Sequence, residues 1–164
     1  DYCCRFLFGE NRLLLSAACE PGEDDAPEFA LLDLLLDRAS HPYVSVWFGE
    51  ARANAVWDSG AGVSVADTSF IQRHPDFFRE AGSSEGTDAN GRQLQAPMFI
   101  MGPVVIGGRE FLPHKVAGVD LSGPNATIEV PMDLILGYST LSNADWLFDF
   151  PGKRWAVLKV MDEG

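Results

Sequence analysis

Basic residues are scarce in this chain. Its 164 residues include 12 lysines and arginines against 24 aspartates and glutamates, giving a formal net charge of −12. A surface of that sign offers no footprint to a phosphate backbone, so no nucleic-acid partner is expected. No apolar run approaches the roughly 18 residues of a transmembrane helix, so no membrane span is expected. Cysteine is confined to Cys3, Cys4 and Cys19. Adjacent cysteines rarely bridge each other and an odd count leaves a thiol unpaired, so cysteine usage does not reveal the compartment. His41, His74 and His114 stand far apart without ligand-like spacing. Each reads as an ordinary polar or capping residue rather than a zinc ligand, and neither a metal nor a cofactor is expected.

Other signals are incomplete. Leu13 to Cys19 has the flavour of a signal-peptide end, but Glu10, Asn11 and Arg12 break the apolar stretch, so it reads as folded structure. The chain does not begin with Met, which suits a processed or trimmed protein, and its localisation is left open. Gly62, Val63, Ser64, Val65, Ala66 approaches a nucleophile elbow but lacks the final glycine, and the chain is short for an α/β-hydrolase. Asn125, Ala126, Thr127 forms a glycosylation sequon, meaningful only in a secretory setting. There are no internal repeats. Glu20, Glu23, Asp24, Asp25 and Glu28, with Pro21, Gly22 and Pro27, read as a solvated acidic loop.

What the chain does have is strand patterning. Arg5 to Phe8 and Leu13 to Ser16 flank Gly9, Glu10, Asn11 as a hairpin would. Phe29 to Leu36 reads as either helix or strand, since Asp25 with Glu28 resembles a capping pair but the run is short. Tyr43 to Phe48 and Arg52 to Trp57 are strands joined at Gly49 and Glu50. A short helix is expected over Thr68 to His74, capped by Asp67 or Thr68 and stopped by Pro75. Ser83 to Ile100 contains a hairpin candidate turning at Asn90 and Gly91. A second turn falls at Gly107 and Gly108, and a third, at Pro151 to Lys153, joins Trp146 to Phe150 with Arg154 to Val160.

The tripeptide Asp58, Ser59, Gly60 follows the apolar alternation that ends in Val56 and Trp57, and Ala61 comes next. A strand that delivers an aspartate into a tight Ser-Gly turn holds a carboxylate where it can activate water, although the same tripeptide also serves as plain turn chemistry. Val56 to Val65 resembles the active-site segment of aspartic proteases, with Ser64 as the second hydroxyl. The order downstream, with a hairpin at Asn90 and Gly91, central strands, then Leu134, Ile135, Leu136, Gly137 and a short helix opened by Tyr138, Ser139 and Thr140, is similar to the single-domain, retroviral-type members. The resemblance spans about Tyr43 to Leu158. It implies a mainly β, retropepsin-like acid-protease barrel with one or two short helices and one lobe per chain. Residues 41–164 would form that domain and residues 1–40 an N-terminal extension of unassigned structure.

The resemblance also implies roles. Asp58 would be catalytic, with Ser59, Gly60 and Ala61 supporting its loop. Ala89, Asn90, Gly91 and Arg92 would form a substrate-binding flap, or else a plain surface hairpin. Leu136 and Gly137 would support the catalytic loop from below, and Ser64 would be a packing hydroxyl or a functional one. The chain carries one Asp-Ser-Gly, whereas a two-lobed aspartic protease needs two such motifs and about twice the length. The expectation is therefore an aspartic endopeptidase acting on polypeptide as a homodimer, with two copies of Asp58 face to face. The alternative is a noncatalytic module of the same fold that dimerises or binds peptide. The segment Asp120 to Met132 is longer than a compact member requires and could reshape the cleft or dimer edge.

Overall fold

The computed structural model describes residues 2–19, 30–87, 91 and 93–161. Its strands are β1 (Cys3–Leu7), β2 (Arg12–Ser16), β3 (Leu32–Asp33), β4 (Leu35–Leu36), β5 (Pro42–Phe48), β6 (Ala51–Trp57), β7 (Val65–Asp67), β8 (Phe78–Thr87), β9 (Gln93–Met101), β10 (Val104–Ile106), β11 (Arg109–Phe111), β12 (His114–Val119), β13 (Leu134–Leu136), β14 (Ala144–Asp149) and β15 (Arg154–Val160). Its α-helices are α1 (Thr68–Arg73), α2 (Ser122–Asn125) and α3 (Tyr138–Leu141). The molecule is mainly β. The helices number three among the described residues, against the one or two expected, because the Asp120 to Met132 segment winds one turn as α2.

The strands form two sheets. The smaller runs β2-β1-β14-β15-β3; the larger runs β11-β10-β5-β6-β13-β7-β12-β9-β8, with β4 beside β5. Neither closes on itself, which corrects the expected barrel: the larger sheet ends in two distinct edges, β11 and β8. One apolar core joins the sheets. Val46, Phe48 and Leu136 from the larger pack in the same cluster as Trp146, Phe148 and Trp155 from the smaller. Burying each such side chain contributes about 1.5–3 kcal/mol. The Trp146 indole N–H avoids an unpaired burial by donating to the Leu141 carbonyl at 2.9 Å.

Turn chemistry accounts for several of the hairpins. Gly49 takes φ +58° between β5 and β6, and Gly107 and Gly108 take +60° and +75° between β10 and β11. Two consecutive positive φ angles match the right-handed twist of the flanking strands. Helix α1 starts where expected, with Asp67 at its N-cap, but the carboxylate accepts no backbone N–H of the helix. Instead it accepts the Ser69 hydroxyl and the Leu121 N–H, tying the helix start to the segment after β12. Among the described residues no helix is long and apolar enough to cross a membrane.

The first forty residues add strands to both sheets. The β1–β2 hairpin turns at Gly9 to Asn11 as expected, and β1 pairs antiparallel with β14. A disulfide joins Cys3 to Cys19, leaving Cys4 free. The stretch that read as either helix or strand contains β3 and β4, paired with β15 and β5. Phe29, the Asp25 and Glu28 capping pair and the acidic loop lie outside the described residues.

Candidate active site

Three strands position Asp58. Strand β6 runs into the Asp58 turn and β7 leaves it, yet the two are not neighbours. Strand β13 lies between them, parallel to β6 with Leu136 opposite Trp57, and antiparallel to β7 with Ile135 opposite Val65. The turn therefore straddles the end of β13. The Asp58 N–H donates to the Leu136 carbonyl at 3.0 Å, and the Tyr138 N–H donates to the Ala61 carbonyl at 2.7 Å. At the other end of β13, Asp133 accepts the Asn54 N–H at 2.9 Å and lies 3.3 Å from the Arg73 guanidinium.

Within the turn, the Gly60 N–H donates to Asp58 Oδ1 at 2.9 Å and the Ala61 N–H donates to the Asp58 carbonyl at 3.3 Å. A side chain at residue 60 would begin 3.2 Å from that carboxylate oxygen, so glycine allows the close approach. Asp58, Ser59 and Gly60 are exposed, and Ala61 is half-buried. The result is an accessible carboxylate whose orientation is fixed by backbone.

Gly137 lies directly against the loop that follows Asp58. A Cβ there would meet the Val63 carbonyl oxygen at 2.6 Å and the Ala61 carbonyl oxygen at 2.7 Å, so only glycine lets the end of β13 fit against the loop. Its N–H donates to Ser64 Oγ at 3.0 Å, and the Ser64 N–H donates to Ser139 Oγ at 2.9 Å. Both Ser64 and Gly137 are buried, so these bonds satisfy groups that water cannot reach. Leu136, also buried, belongs to the main core.

Behind them lies a relay that the sequence did not signal. Ser64 Oγ is 2.6 Å from Thr140 Oγ1, which is 2.7 Å from His114 Nε2, while His114 Nδ1 is 2.8 Å from the Leu112 carbonyl. A carbonyl can only accept, so Nδ1 carries the proton in the neutral ring and Nε2 accepts from Thr140. The polarity then runs from the Gly137 N–H through Ser64 and Thr140 to His114, each hydroxyl accepting one bond and donating the next. Burial pushes the His114 imidazole below its ordinary range, although its bond to the Leu112 carbonyl acts in the opposite direction. His114 is thus a capping residue for the hydroxyl chain, and nothing in its sequence neighbourhood marks it. The other two histidines have separate partners: His41 Nδ1 is 2.7 Å from Asp37, and His74 stacks on Phe77.

The hairpin candidate forms from β8 and β9, in register from Phe78 opposite Met101 to Thr87 opposite Gln93, with an irregularity between Glu80 and Ser83. Strand β9 pairs with β12 only from Met98 to Met101. Beyond Pro97 the hairpin is a two-stranded ribbon that leaves the sheet, and such ribbons are marginally stable alone. Gly91 takes φ +78°. Ala89, Asn90 and Arg92 lie outside the described residues.

No protein-family model matches the chain, and no curated protein matches it by sequence. Among solved structures it is similar to a retropepsin-like aspartic protease from Rickettsia conorii, with a TM-score of 0.52 and 17% identity, covering 78% of this chain and 90% of the other. The fold is retropepsin-like. At that identity the likeness is one of fold, and the chemistry rests on the Asp58 turn itself.

Proposed function

We propose that this chain is an aspartic endopeptidase, active as a symmetric homodimer in which two Asp58 carboxylates share one catalytic water. The observation that carries it is the Asp58 turn, exposed at its carboxylate and held from beneath by β13. Two aspartates within about 3 Å cannot both ionise cheaply, so the pair holds one proton over an acidic range. The ionised member takes a proton from the water while the protonated member polarises the scissile carbonyl. The tetrahedral intermediate then collapses as the amine leaves with a proton. The protein groups supply the whole sequence without a covalent enzyme intermediate.

The remaining residues take supporting roles. Ser59 would bond across the two-fold to the opposing loop, while Gly60 keeps its N–H on the carboxylate and Ala61 its carbonyl on Tyr138. The β8–β9 ribbon, with Gly91 near its tip, would close over an extended polypeptide and pair with its backbone. Leu136 and Gly137 hold the loop rigid, as a positioned base requires.

Hydrolysis of a peptide library at acidic pH, with and without pepstatin, tests this. Expected are pepstatin-sensitive cleavage peaking below neutrality and its loss in Asp58→Asn, whose side chain can still accept the Gly60 N–H. Cleavage that persists in Asp58→Asn would overturn the proposal. A folded dimer without cleavage at any pH would mark the chain as a noncatalytic peptide-binding or dimerisation module.

A further inference from the structure

The exposed edge of the smaller sheet supplies an interface for the proposed dimer. Among the described residues, strand β2 pairs with β1 on one side and forms the sheet's outer edge on the other. All five of its residues are exposed, including Leu13 at 54%, Leu14 at 38% and Leu15 at 60%. Edge strands are usually blunted by charge, proline or a bulge. This one presents three consecutive leucines, and its single charge, Arg12, is paired to Glu10 at 2.6 Å. The Cys3–Cys19 disulfide clamps the open end of the hairpin, so the edge is preformed.

The faces of that strand decide what it fits. Register places Leu13 opposite Phe6 and Leu15 opposite Cys4. Phe6 and Cys4 pack against the main core, and the Phe6 ring is 4.5 Å from that of Trp57, the residue before Asp58. Leu13 and Leu15 therefore continue the core-facing surface of β1 onto β2, the edge strand among the described residues. The edge also adjoins the site. The Phe8 ring lies 6.0 Å from Tyr138, whose N–H holds Ala61, and an open cavity of about 290 Å³ lies between Tyr138 and the hairpin residues Phe6, Phe8 and Leu13.

We infer that β2 is the dimerisation strand, pairing antiparallel with β2 of a second copy of this chain about a two-fold at Leu14. This rests on the proposed function, which requires a second Asp58 beside the first. The sequence of the strand fits the symmetry. Centred on Leu14, Leu13 of one copy faces Leu15 of the other, Leu14 faces its own counterpart, and Arg12 faces Ser16 rather than another arginine. No neighbouring centre matches every leucine while keeping the two arginines apart. The two small sheets then become one ten-stranded sheet, and their core-facing surfaces join next to the two catalytic turns. A C2 contact of this kind is isologous and closes on itself.

Cysteine cross-linking and sedimentation of the full chain test the register. Leu14→Cys should form a disulfide-linked dimer under mild oxidation. Leu13→Cys should not link to itself but should link to Leu15→Cys when the two variants are mixed, with wild type as the control for Cys4. Leu14→Glu sets two like charges against each other on the axis and should raise the dimer Kd about 100-fold or more. Circular dichroism should be unchanged, and activity per dimer should recover at high protein concentration. A Leu14→Glu protein that dimerises like wild type would overturn the interface while leaving the proposed function standing. A wild type that is monomeric at every concentration, or that uses β2 only for a different protein, would overturn the interface as well. A wild type that dimerises and cross-links as expected but cleaves nothing would keep the interface and remove the proposed function.

Discussion

Ser64 and Gly137 are hydrogen-bonded across 73 residues of sequence, the Gly137 N–H donating to Ser64 Oγ at 3.0 Å in a place that water does not reach. The bond fixes the loop that carries Asp58 to the strand beneath it.

Replacing either residue should damage that joint in a distinguishable way. Ser64→Ala leaves the buried Gly137 N–H without its acceptor and the Thr140 hydroxyl with His114 alone, a loss of about 1–3 kcal/mol. Gly137→Ala drives a methyl group into two carbonyl oxygens and should cost about 1–3 kcal/mol or more, since the backbone must move. Urea melts read the stability. Peptide hydrolysis should fall further in Gly137→Ala, because the displaced atoms belong to the Asp58 loop. Equal activity in both variants would separate the joint from catalysis.

His114 should make stability depend on acid. Its folded-state pKa lies below the unfolded value of about 6.5. The unfolded chain therefore binds the proton more readily, and stability rises with pH across that interval. The contribution is complete above about pH 6.5 and is lost as pH falls through the folded value. His114→Phe keeps bulk but cannot protonate, and should be less stable at neutral pH with a flatter acid dependence. Urea melts at neutral and acidic pH decide it, and a variant as acid-sensitive as wild type would exclude His114 as the source.

Gly91 tests the ribbon. A side chain there would meet no atom within 4 Å, so the penalty for Gly91→Val comes from its positive φ alone, about 1–2 kcal/mol. If the ribbon closes over substrate, kcat/KM should fall by more than that stability loss explains. Unchanged kcat/KM in the folded variant would identify a plain surface hairpin.

The Cys3–Cys19 bridge, with a sequence separation of 16, should contribute about 3 kcal/mol by the chain-entropy estimate. Thermal melts of Cys3→Ala/Cys19→Ala against oxidised wild type would measure it, and equal midpoints would show that β1 and β2 hold without the clamp.

Local chemistry was legible in the sequence; long-range pairing was not. Alternation from Tyr43 to Trp57, the Thr68 helix, the paired glycines at 107 and 108 and the aliphatic run ending at Gly137 each announced an element through its own spacing. The placement of β13 between β6 and β7 depends on partners far apart in sequence, and only the resemblance hinted at it. Likewise Cys19 shows no sign of its partner, and His114 acquires its role only when α3 brings Thr140 to it. The openness of the sheets also depends on which edges fail to meet, which no local pattern records.

The position of β13 also sets a time. The Asp58 turn has nothing beneath it until Leu136 and Gly137 arrive, and a contact between such distant segments must first close a long loop. During synthesis, the strand that completes the turn emerges long after the turn itself. Whatever chemistry Asp58 performs is therefore withheld from the growing chain, and a fragment ending before β13 carries the motif without the site.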